Sequence, residues 1–386
     1  MVAVITTPRL MAVGGGALGE LPAILARLGL SAPLVVTDPY IRGCGILDRA
    51  TALLDDARIG ATVFADTVPD PTTAVIEEGA RLIDGESFDC LVAIGGGSSI
   101  DTAKGISVLA ANGGRMRDYK VPNEIPKTGL PIVAIPTTAG TGSEVTRFTV
   151  VTDTETDEKM LIAGLACCPL AAIVDYELTL TMPYRLTADT GIDSLTHAIE
   201  AYVSRRASAY TDGLAKNAMA LIAKNIRTAC AEPQHRAARE AMMLGATTAG
   251  MAFSNASVAL VHGMSRPIGA FFHVPHGLSN AMLLPEITAF SVPSALDRYA
   301  DCARAMGVAD AEEGNQAAVA RLLDELRRLN RDLAVPSPRD YGIDAARYEE
   351  LLPVMASQAL ASGSPANNPR VPSADEIVDL YRRVYA

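Results

Sequence analysis

Histidines are concentrated in two short segments of this chain. Three of the five, His262, His273 and His276, lie between residues 261 and 285. A fourth, His197, lies in the segment GIDSLTHAIEAYV, and only His235 stands outside the two segments. Imidazole is the commonest side-chain ligand of metal ions in proteins. The clustering therefore points to one site in which several imidazoles act together.

A carboxylate accompanies the upstream histidine. Asp193 and His197 are four residues apart in a segment with helical spacing, which places both on one helix face. Apolar neighbours predict that this face is buried, and an unsatisfied buried polar group costs about 1–3 kcal/mol. Metal ligation would satisfy the pair. A helix-capping acid and a core histidine bonded to a carbonyl would satisfy it too, so the pair alone leaves both interpretations open.

The downstream histidines complete a metal-type donor set. His276 follows Pro275 and precedes Gly277, which predicts that it begins or caps a helix, and His262 lies in a helical stretch. Joined with the upstream pair, they supply one carboxylate and three imidazoles. Such a set suits a divalent ion such as Fe²⁺ or Zn²⁺, with room for a substrate oxygen. We therefore predict a metal site formed by Asp193, His197, His262 and His276.

Two loops rich in small residues follow predicted strands. The first loop (residues 95–99, GGGSS) follows the apolar run 90–94 and precedes a helix predicted from near Ile100 or Asp101. The second loop (residues 136–146, PTTAGTGSEVT) follows the apolar run 132–135. Glycines and a helix N-terminus suit a pyrophosphate. A tight turn capped by Ser98 or Ser99 is the alternative, and the GxGxxG fingerprint is absent. Two such loops at neighbouring strand ends are typical of nucleotide binding.

An acidic residue, Asp38, closes the predicted strand 33–38. Its carboxylate could accept hydrogen bonds from a ribose diol and would repel a 2′-phosphate, which favours NAD over NADP. A turn residue before Pro39 is the other interpretation, and the local sequence does not separate the two.

The elements that must position these residues change in character near residue 182. Before it, apolar strands alternate with helical patterns, which predicts a parallel sheet covered on both faces. Beyond it, strand signals nearly vanish, and helices are predicted at 187–203, 209–230, 235–251, 294–306, 312–329, 345–361 and 373–386, the fourth capped by Ser294. We predict an α/β dinucleotide-binding domain over residues 1–182 and a helical metal-binding, catalytic domain over residues 183–386.

Composition limits the partners and the location. The net charge of 33 − 44 = −11 argues against nucleic acid or an anionic membrane surface as a partner. No run reaches the roughly 18–20 apolar residues of a membrane helix, and the N-terminus lacks signal-peptide features. Six cysteines without a CxxC pair predict reduced thiols and a cytoplasmic location. The adjacent Cys167 and Cys168 are either core residues or a soft metal site.

The chain resembles the iron-containing (group III) NAD(P)-dependent alcohol dehydrogenases. The matching segments are GGGSSIDTAKGI, IPTTAGTGSEVT, GIDSLTHAIEAYVS, the HGM…PIGAFFHVPHGLSNAMLLP block and ASGSPANNPR, spread over essentially the whole chain. The resemblance implies a dehydroquinate synthase-like architecture, with a dinucleotide-binding domain followed by a helical metal-binding domain. It implies metal ligation by the four residues above, and cofactor contacts by Asp38, Gly95, Gly96, Gly97, Ser98, Thr137, Thr138, Thr141, Ser143 and Lys159.

Two departures from the family pattern fall beside the predicted metal site. Many relatives read HxMxHPLG where this chain reads HGMSRPIG, so Arg266 replaces a histidine associated with the nicotinamide and substrate region. Arginine does not titrate near neutral pH, but it can hold a carboxylate or phosphonate in a bidentate grip. Phe272-His273 replaces a frequent Tyr-Asn, and His273 is either a titrating group near the metal or a residue at the surface or behind the ligands. We expect His276, His273 and Arg266 in the catalytic region.

These features together predict an NAD(H)-dependent, iron-type alcohol dehydrogenase. The expected reaction is reversible hydride transfer between a primary alcohol, or its aldehyde, and NAD(H), with a divalent metal as Lewis acid. Fe²⁺ is the expected ion, with Zn²⁺ or another divalent ion as alternatives, and family members commonly form homodimers or larger homo-oligomers. An acidic tail on the small-molecule substrate would explain Arg266.

Two other functions remain open at this stage. A lyase or synthase with the dehydroquinate synthase architecture would recycle its NAD without net turnover of NADH. A nucleotide-binding protein without catalysis, suggested by Arg266 in place of a family histidine, would show no activity with short alcohols or aldehydes.

Overall fold

The structure is a computed structural model that describes residues 2–85, 87–156 and 158–385. The chain divides into two compact units. One, the α/β unit, is Ile5–Thr181; the other, the helical unit, is Met182–Ala386 together with Met1–Val4.

A six-stranded parallel sheet forms the centre of the α/β unit, in the order β1-β8-β5-β4-β2-β3. The parallel sheet predicted from the apolar strands is confirmed. The strands are β1 Leu10–Val13, β2 Pro33–Val36, β3 Thr62–Phe64, β4 Cys90–Gly95, β5 Ile132–Pro136, β6 Phe148–Asp153, β7 Glu158–Ala163 and β8 Ala171–Val174. The helices are α1 Leu21–Leu28, α2 Pro39–Gly43, α3 Ile46–Asp56, α4 Thr73–Gly85 and α5 Gly97–Asn112.

Helices cover both faces of this sheet. Successive strand residues point to opposite faces, so Leu34 and Leu91 join a core cluster that contains residues of α4 and α5. Val35 and Val92 join a second cluster that contains residues of α1 and α3. Burial on both faces explains why these strands read as continuous apolar runs.

The strand order reverses between β2 and β4. From β2 the chain moves outward to β3, and then returns to place β4 on the other side of β2. In open α/β sheets, ligands bind outside the carboxyl ends of the strands at such a reversal. Asp38 and the first loop emerge from the carboxyl ends of β2 and β4, at this point.

An antiparallel hairpin, β6–β7, was not predicted from the sequence. Its strands pair from Phe148 with Ala163 to Asp153 with Glu158. Burial alternates between half-buried and buried positions over Phe148–Asp153 and, after the exposed Glu158, along the rest of β7, but apolar residues occupy both faces of segments such as MLIA. The apolar period of two that identifies a half-buried strand is therefore hidden.

The helical unit contains no strand among the residues that the structure describes. Its helices are α6 Tyr184–Val203, α7 Ala209–Ala231, α8 Arg236–Ala256, α9 Leu260–Phe272, α10 His276–Ser291, α11 Leu296–Ala305, α12 Asn315–Asp332, α13 Ala345–Ala361 and α14 Ala374–Tyr385. The predicted cap at Ser294 is wrong. Pro293 initiates a short 3₁₀ turn over Val292–Ser294, so α11 begins only after Ala295, its N-cap residue.

The structure bears on two further expectations from the sequence, which concern membrane-spanning helices and the adjacent Cys167 and Cys168. Within the described ranges, no single helix has the length and apolar character of a membrane span, and α8 with α9 passes only as a pair bent by 104°. Cys167 is fully buried in the core of the α/β unit, where burial raises its thiol pKa to about 12. Neither Cys167 nor Cys168 belongs to a metal-binding group in the described chain.

Candidate metal centre and cofactor loops

Three helices of the helical unit bring the predicted metal ligands together. Asp193 Oδ1 lies 3.9 Å from Nε2 of His197, 3.4 Å from Nε2 of His262 and 3.8 Å from Nε2 of His276. One donor atom from each residue lies within 4.8 Å of all the others. We call these four residues the ligand cluster.

Local structure places each member of the ligand cluster. Asp193 and His197 are one turn apart on α6, and both are buried. His262 is the third residue of α9, and His276 is the first residue of α10, after Pro275. The His197 ring stacks between Phe253, at a centroid distance of 4.2 Å, and His262, at 4.5 Å. Helix spacing and ring packing thus hold the donors before any ion binds.

The chemistry of the donor set fits a divalent cation. Carboxylate oxygen and imidazole nitrogen are ligands for first-row transition metals, and three or four such ligands are usual for a catalytic ion. In the described chain, Asp193 forms no ion pair with a lysine or an arginine. The His276 side chain is 42% exposed, so the cluster is reachable from solvent on that side. The residues present therefore suit a metal with an open position for substrate.

Electrostatics within the ligand cluster favour positive charge. Burial alone would lower the pKa of His262, but hydrogen bonds to Asp193 and Glu200 and their charges outweigh burial and raise it to about 9. Burial alone would raise the pKa of Asp193, but the charges of the surrounding imidazoles hold it well below its usual range. A metal binds the deprotonated ligands, so it must displace protons that the cluster otherwise attracts.

Two polar residues that contact the ligand cluster were missed in the sequence. The Glu200 carboxylate lies 2.7 Å from His262 Nδ1. Asn280 is fully buried and donates to Asp193 Oδ1 at 2.7 Å, while its Nδ2 also lies 3.2 Å from Nε2 of His262 and of His276. Helix spacing was the available signal, because Glu200 follows Asp193 by seven residues and Asn280 follows His276 by four.

Arg266 and His273 lie on α9 and at its end. Arg266, one turn after His262, is half-buried and makes no side-chain hydrogen bond or ion pair with the described residues. Burial lowers the pKa of its guanidinium, and the charge of Glu200 partly offsets that effect. His273 is exposed and ends α9 in a left-handed conformation with φ 54°. The exposed position agrees with the surface interpretation of His273.

The first and second loops lie side by side in the α/β unit. Gly95 and Pro136 are paired across β4 and β5, and Thr137 N donates to Gly95 O at 2.9 Å. A Cβ on Gly97 would lie 2.8 Å from Thr141 Cγ2, closer than real side chains approach. Only glycine therefore lets the two loops pack this tightly.

The helix after the first loop begins earlier than predicted. α5 starts at Gly97, with Gly96 as its N-cap, rather than near Ile100 or Asp101. The turn between β4 and α5 is tight, with Gly96 alone between them, but neither Ser98 nor Ser99 caps the helix, so the predicted serine cap is wrong. Helical glycine is tolerated here because the close approach of the second loop excludes a side chain.

Asp38 connects its strand end to the first loop. Its Oδ1 caps α2 by accepting from Ile41 N at 3.0 Å, as the turn interpretation expects. Its Oδ2 accepts from the Ser99 hydroxyl at 3.0 Å. Gly95, with φ 156°, packs against both residues: a Cβ there would lie 2.3 Å from Ser99 Oγ and 3.1 Å from Asp38 Oδ2.

The remaining predicted cofactor residues occupy different surroundings. The Ser143 hydroxyl donates to Asp101 at 2.5 Å and accepts from Lys104 at 2.8 Å, so it is already engaged within the protein. Lys159, on β7, forms a 3.0 Å ion pair with Asp70. The half-buried members of the two loops are Gly96, Gly97, Ser98, Thr138 and Thr141, whereas Gly95 and Thr137 are buried.

Comparison with known proteins gives a family match in the α/β unit and another in the helical unit. Residues 8–176 match the model of the iron-containing alcohol dehydrogenases, and residues 187–385 match that of the C-terminal part of the Fe-containing alcohol dehydrogenase family. The chain is 36% identical over 376 residues to the NAD-dependent methanol dehydrogenase of Bacillus methanolicus, covering 97% of this chain and 98% of that protein.

Solved structures give the same result. A 1,3-propanediol oxidoreductase superposes with a TM-score of 0.95 at 35% identity, over 100% of both chains. The sulfoacetaldehyde reductase of Bifidobacterium kashiwanohense, in complex with NAD⁺, superposes with a TM-score of 0.90 at 28% identity, over 100% of this chain and 99% of that one. The chain therefore belongs to the iron-containing alcohol dehydrogenase family, and it is an oxidoreductase that interconverts alcohols and aldehydes with NAD(H).

Proposed function

We propose that this enzyme interconverts a primary alcohol and its aldehyde at a divalent metal held by the ligand cluster. The observation that carries the proposal is the convergence of one carboxylate oxygen and three imidazole nitrogens within 4.8 Å of one another. When bound, the metal would polarise the substrate oxygen as a Lewis acid, and the nicotinamide would exchange hydride with the carbon.

The protein residues have positioning and charge-balancing roles in this scheme. Asp193 supplies the negative charge that offsets the cation, and the stacked rings of His197 and His262 keep their donor atoms fixed. The half-exposed His276 leaves an approach for substrate. Arg266 stays protonated near neutral pH and cannot relay a proton. His273, whose imidazole is exposed, is proposed to share proton transfer with water.

We propose that NAD(H) binds at the first and second loops. Backbone N–H groups at the start of α5, with glycines that admit close approach, suit the pyrophosphate. The carboxylate of Asp38, at the carboxyl end of β2, suits a ribose diol and disfavours a 2′-phosphate. Gly95, Gly96, Gly97, Ser98, Thr137, Thr138, Thr141, Ser143 and Lys159 remain the proposed cofactor contacts, with Ser143 acting through its backbone or by supporting the loop.

Arg266 supports a preference for substrates with an acidic tail. A half-buried guanidinium with no hydrogen bond or ion pair to the described residues is costly, and a carboxylate or sulfonate would satisfy it with two charge-assisted hydrogen bonds. The similar sulfoacetaldehyde reductase acts, by its name, on an aldehyde with a sulfonate group.

Matched aldehydes test this preference. For Arg266→Ala, we expect kcat/KM for a short acidic semialdehyde to fall by about 10- to 100-fold, as loss of a charged hydrogen bond predicts. The value for a neutral aldehyde of equal length should change little, and Arg266→Lys should recover part of the loss. An equal fall for both aldehydes would remove the acidic-tail proposal and leave the oxidoreductase intact.

Metal analysis tests the reaction centre. Protein purified without oxygen should contain about one divalent ion per chain, and exhaustive chelation should abolish net NADH turnover with an alcohol and aldehyde panel. Full activity after chelation would refute the metal-dependent mechanism. The same panel with NAD(H) and NADP(H) measures the cofactor preference.

Location and assembly complete the proposal. All six cysteines are free thiols in the structure, which supports a reducing, cytoplasmic location. A homodimer or larger homo-oligomer is proposed from the family resemblance, and light scattering after size exclusion measures it directly.

A further inference from the structure

Glu200 is a buried carboxylate beside the ligand cluster but outside it. It shares one face of α6 with Asp193 and His197, and its side chain is 4% exposed. No lysine or arginine in the described chain comes within ion-pair distance of it. Since a buried charge is expensive without partners, the groups that do contact Glu200 must account for its presence.

Three donors surround this carboxylate. Oε2 accepts from Ala259 N at 2.9 Å, and Oε1 accepts from Val261 N at 2.6 Å. Ala259 is the N-cap residue of α9 and has no capping side chain of its own. Glu200 therefore satisfies N–H groups that the first turn of a helix leaves without partners, and its charge suits a helix N-terminus.

The third donor is a metal-ligand ring. Oε2 lies 2.7 Å from His262 Nδ1, and a carboxylate can only accept, so Nδ1 carries the proton. A metal binds the neutral imidazole, which has one N–H, so a proton on Nδ1 leaves Nε2 with its lone pair. That atom faces the ligand cluster, 3.4 Å from Asp193 Oδ1 and 3.2 Å from the donating Nδ2 of Asn280.

We propose that Glu200 is a positioning residue that holds His262 in the Nδ1–H form, aims Nε2 at the metal and ties the ring to the start of α9. The inference rests on the metal site proposed above. A carboxylate on the far nitrogen of a ligating histidine orients the ring and raises its basicity, and mutation of such partners typically costs 10- to 100-fold in metal affinity.

A simple helix cap is the competing role, and the chain offers a matched control for it. Asp175, in the α/β unit, is also fully buried and accepts from Gly16 N at 3.1 Å, Leu18 N at 3.0 Å and Glu177 N at 3.0 Å. These three donors all belong to the α/β unit. Asp175→Asn therefore removes a buried backbone-binding carboxylate without touching a ligand ring.

Zinc affinity separates the two roles. Wild type, Glu200→Gln and Asp175→Asn would be stripped of metal, and Zn²⁺ binding measured by competition with a chromogenic chelator. In Glu200→Gln, one carboxylate oxygen is replaced by an NH₂ group, which donates and therefore repels the N–H group that it faces. That group is either a backbone N–H or the Nδ1–H of His262. In the second case, the His262 ring must move its proton from Nδ1 to Nε2. We expect Zn²⁺ to bind about 10- to 100-fold more weakly, with an altered visible spectrum for bound Co²⁺.

The control and a second variant complete the test. Asp175→Asn should unfold at lower denaturant yet bind Zn²⁺ as wild type does. Glu200→Asp keeps the charge at the start of α9, but its side chain is one methylene shorter and cannot reach all three donors. It should fold and still bind Zn²⁺ more weakly.

The outcomes distinguish this inference from the proposed function. Wild-type Zn²⁺ affinity and Co²⁺ spectra in Glu200→Gln, or in Glu200→Asp if the first variant does not fold, would reduce Glu200 to a helix cap. Failure of the wild-type protein itself to bind metal would instead overturn the proposed function.

Discussion

The two units each bury a cluster of charged side chains, and the clusters are satisfied in opposite ways. In the α/β unit, Lys104 is fully buried and its Nζ donates to Ser143 Oγ, Thr146 Oγ1 and Phe148 O at 2.7–3.1 Å. Asp101 lies 3.8 Å from Lys104 and accepts from Ser143 and from Val150 N. This cluster contains its own cation.

The ligand cluster of the helical unit contains no lysine or arginine. Its members offer carboxylate and imidazole donor atoms, and Glu200 and the Asn280 amide are among the groups that contact them. Asn280 Oδ1 is itself buried and accepts no hydrogen bond from the described residues. A buried set that includes its own lysine stabilises a fold, whereas a carboxylate and three imidazoles that face one another without a lysine or arginine suit an external cation.

Removal of one ligand is the largest expected effect. In His197→Ala, kcat/KM should fall by about a thousandfold or more, because loss of a metal's Lewis-acid assistance removes several kcal/mol of transition-state stabilisation. The metal content of the purified variant should fall with activity. His235→Ala is the matched control, since His235 caps α8 by accepting from Ala238 N and lies outside the ligand cluster. Wild-type activity in a metal-free His197→Ala variant would contradict the view that the ligand cluster, unlike the Lys104 cluster, serves catalysis by holding a metal.

Mutation of the buried Lys104–Asp101 cluster should lower the stability of the fold rather than metal binding. Lys104→Met removes the buried cation and leaves Asp101 uncompensated, which should cost about 3–5 kcal/mol in the free energy of unfolding. Denaturant unfolding measures the loss, and metal content per folded chain should remain that of the wild type. A variant as stable as wild type would contradict the view that this pair is structural.

A larger side chain between the first and second loops should weaken cofactor binding without changing metal binding. In Gly97→Ala, the new Cβ would meet Thr141 Cγ2 at 2.8 Å, and such overpacking typically costs about 1–3 kcal/mol. We expect KM for NADH to rise about tenfold or more, with metal content unchanged. Gly60→Ala, where a Cβ would meet nothing within 4 Å, is the control. An unchanged KM would place NAD(H) away from these loops.

The smallest expected effect concerns cofactor choice. Asp38→Ala should lower the ratio of kcat/KM for NAD⁺ over NADP⁺ by about tenfold, since about 1.4 kcal/mol of discrimination is lost. Asp344→Ala removes a comparable N-cap, from α13, and should leave that ratio unchanged. If both variants behave alike, Asp38 serves only as the cap of α2.

The helices and strands were largely predictable, because burial requires apolar residues at regular spacing along a long segment. Continuous apolar runs identified β2, β4 and β5, and α13 was predicted with the observed bounds, 345–361. The start of α5 was not, because three glycines carry no side-chain signal and the constraint on Gly97 is a contact with Thr141, 44 residues away in sequence. The β6–β7 hairpin was missed because apolar residues on both faces conceal its alternation.

The sequence by itself determined which residue types were available for chemistry and their local spacing. Asp193 and His197 share a helix face because α-helical geometry makes residues four apart neighbours, whatever the rest of the chain does. Only the tertiary structure decided that His262 and His276 point at that face, and that Glu200 and Asn280 complete the surroundings. Contacts between α6, α9 and α10 depend on how whole helices pack, and that packing is set by side-chain fit over many residues rather than by any local run.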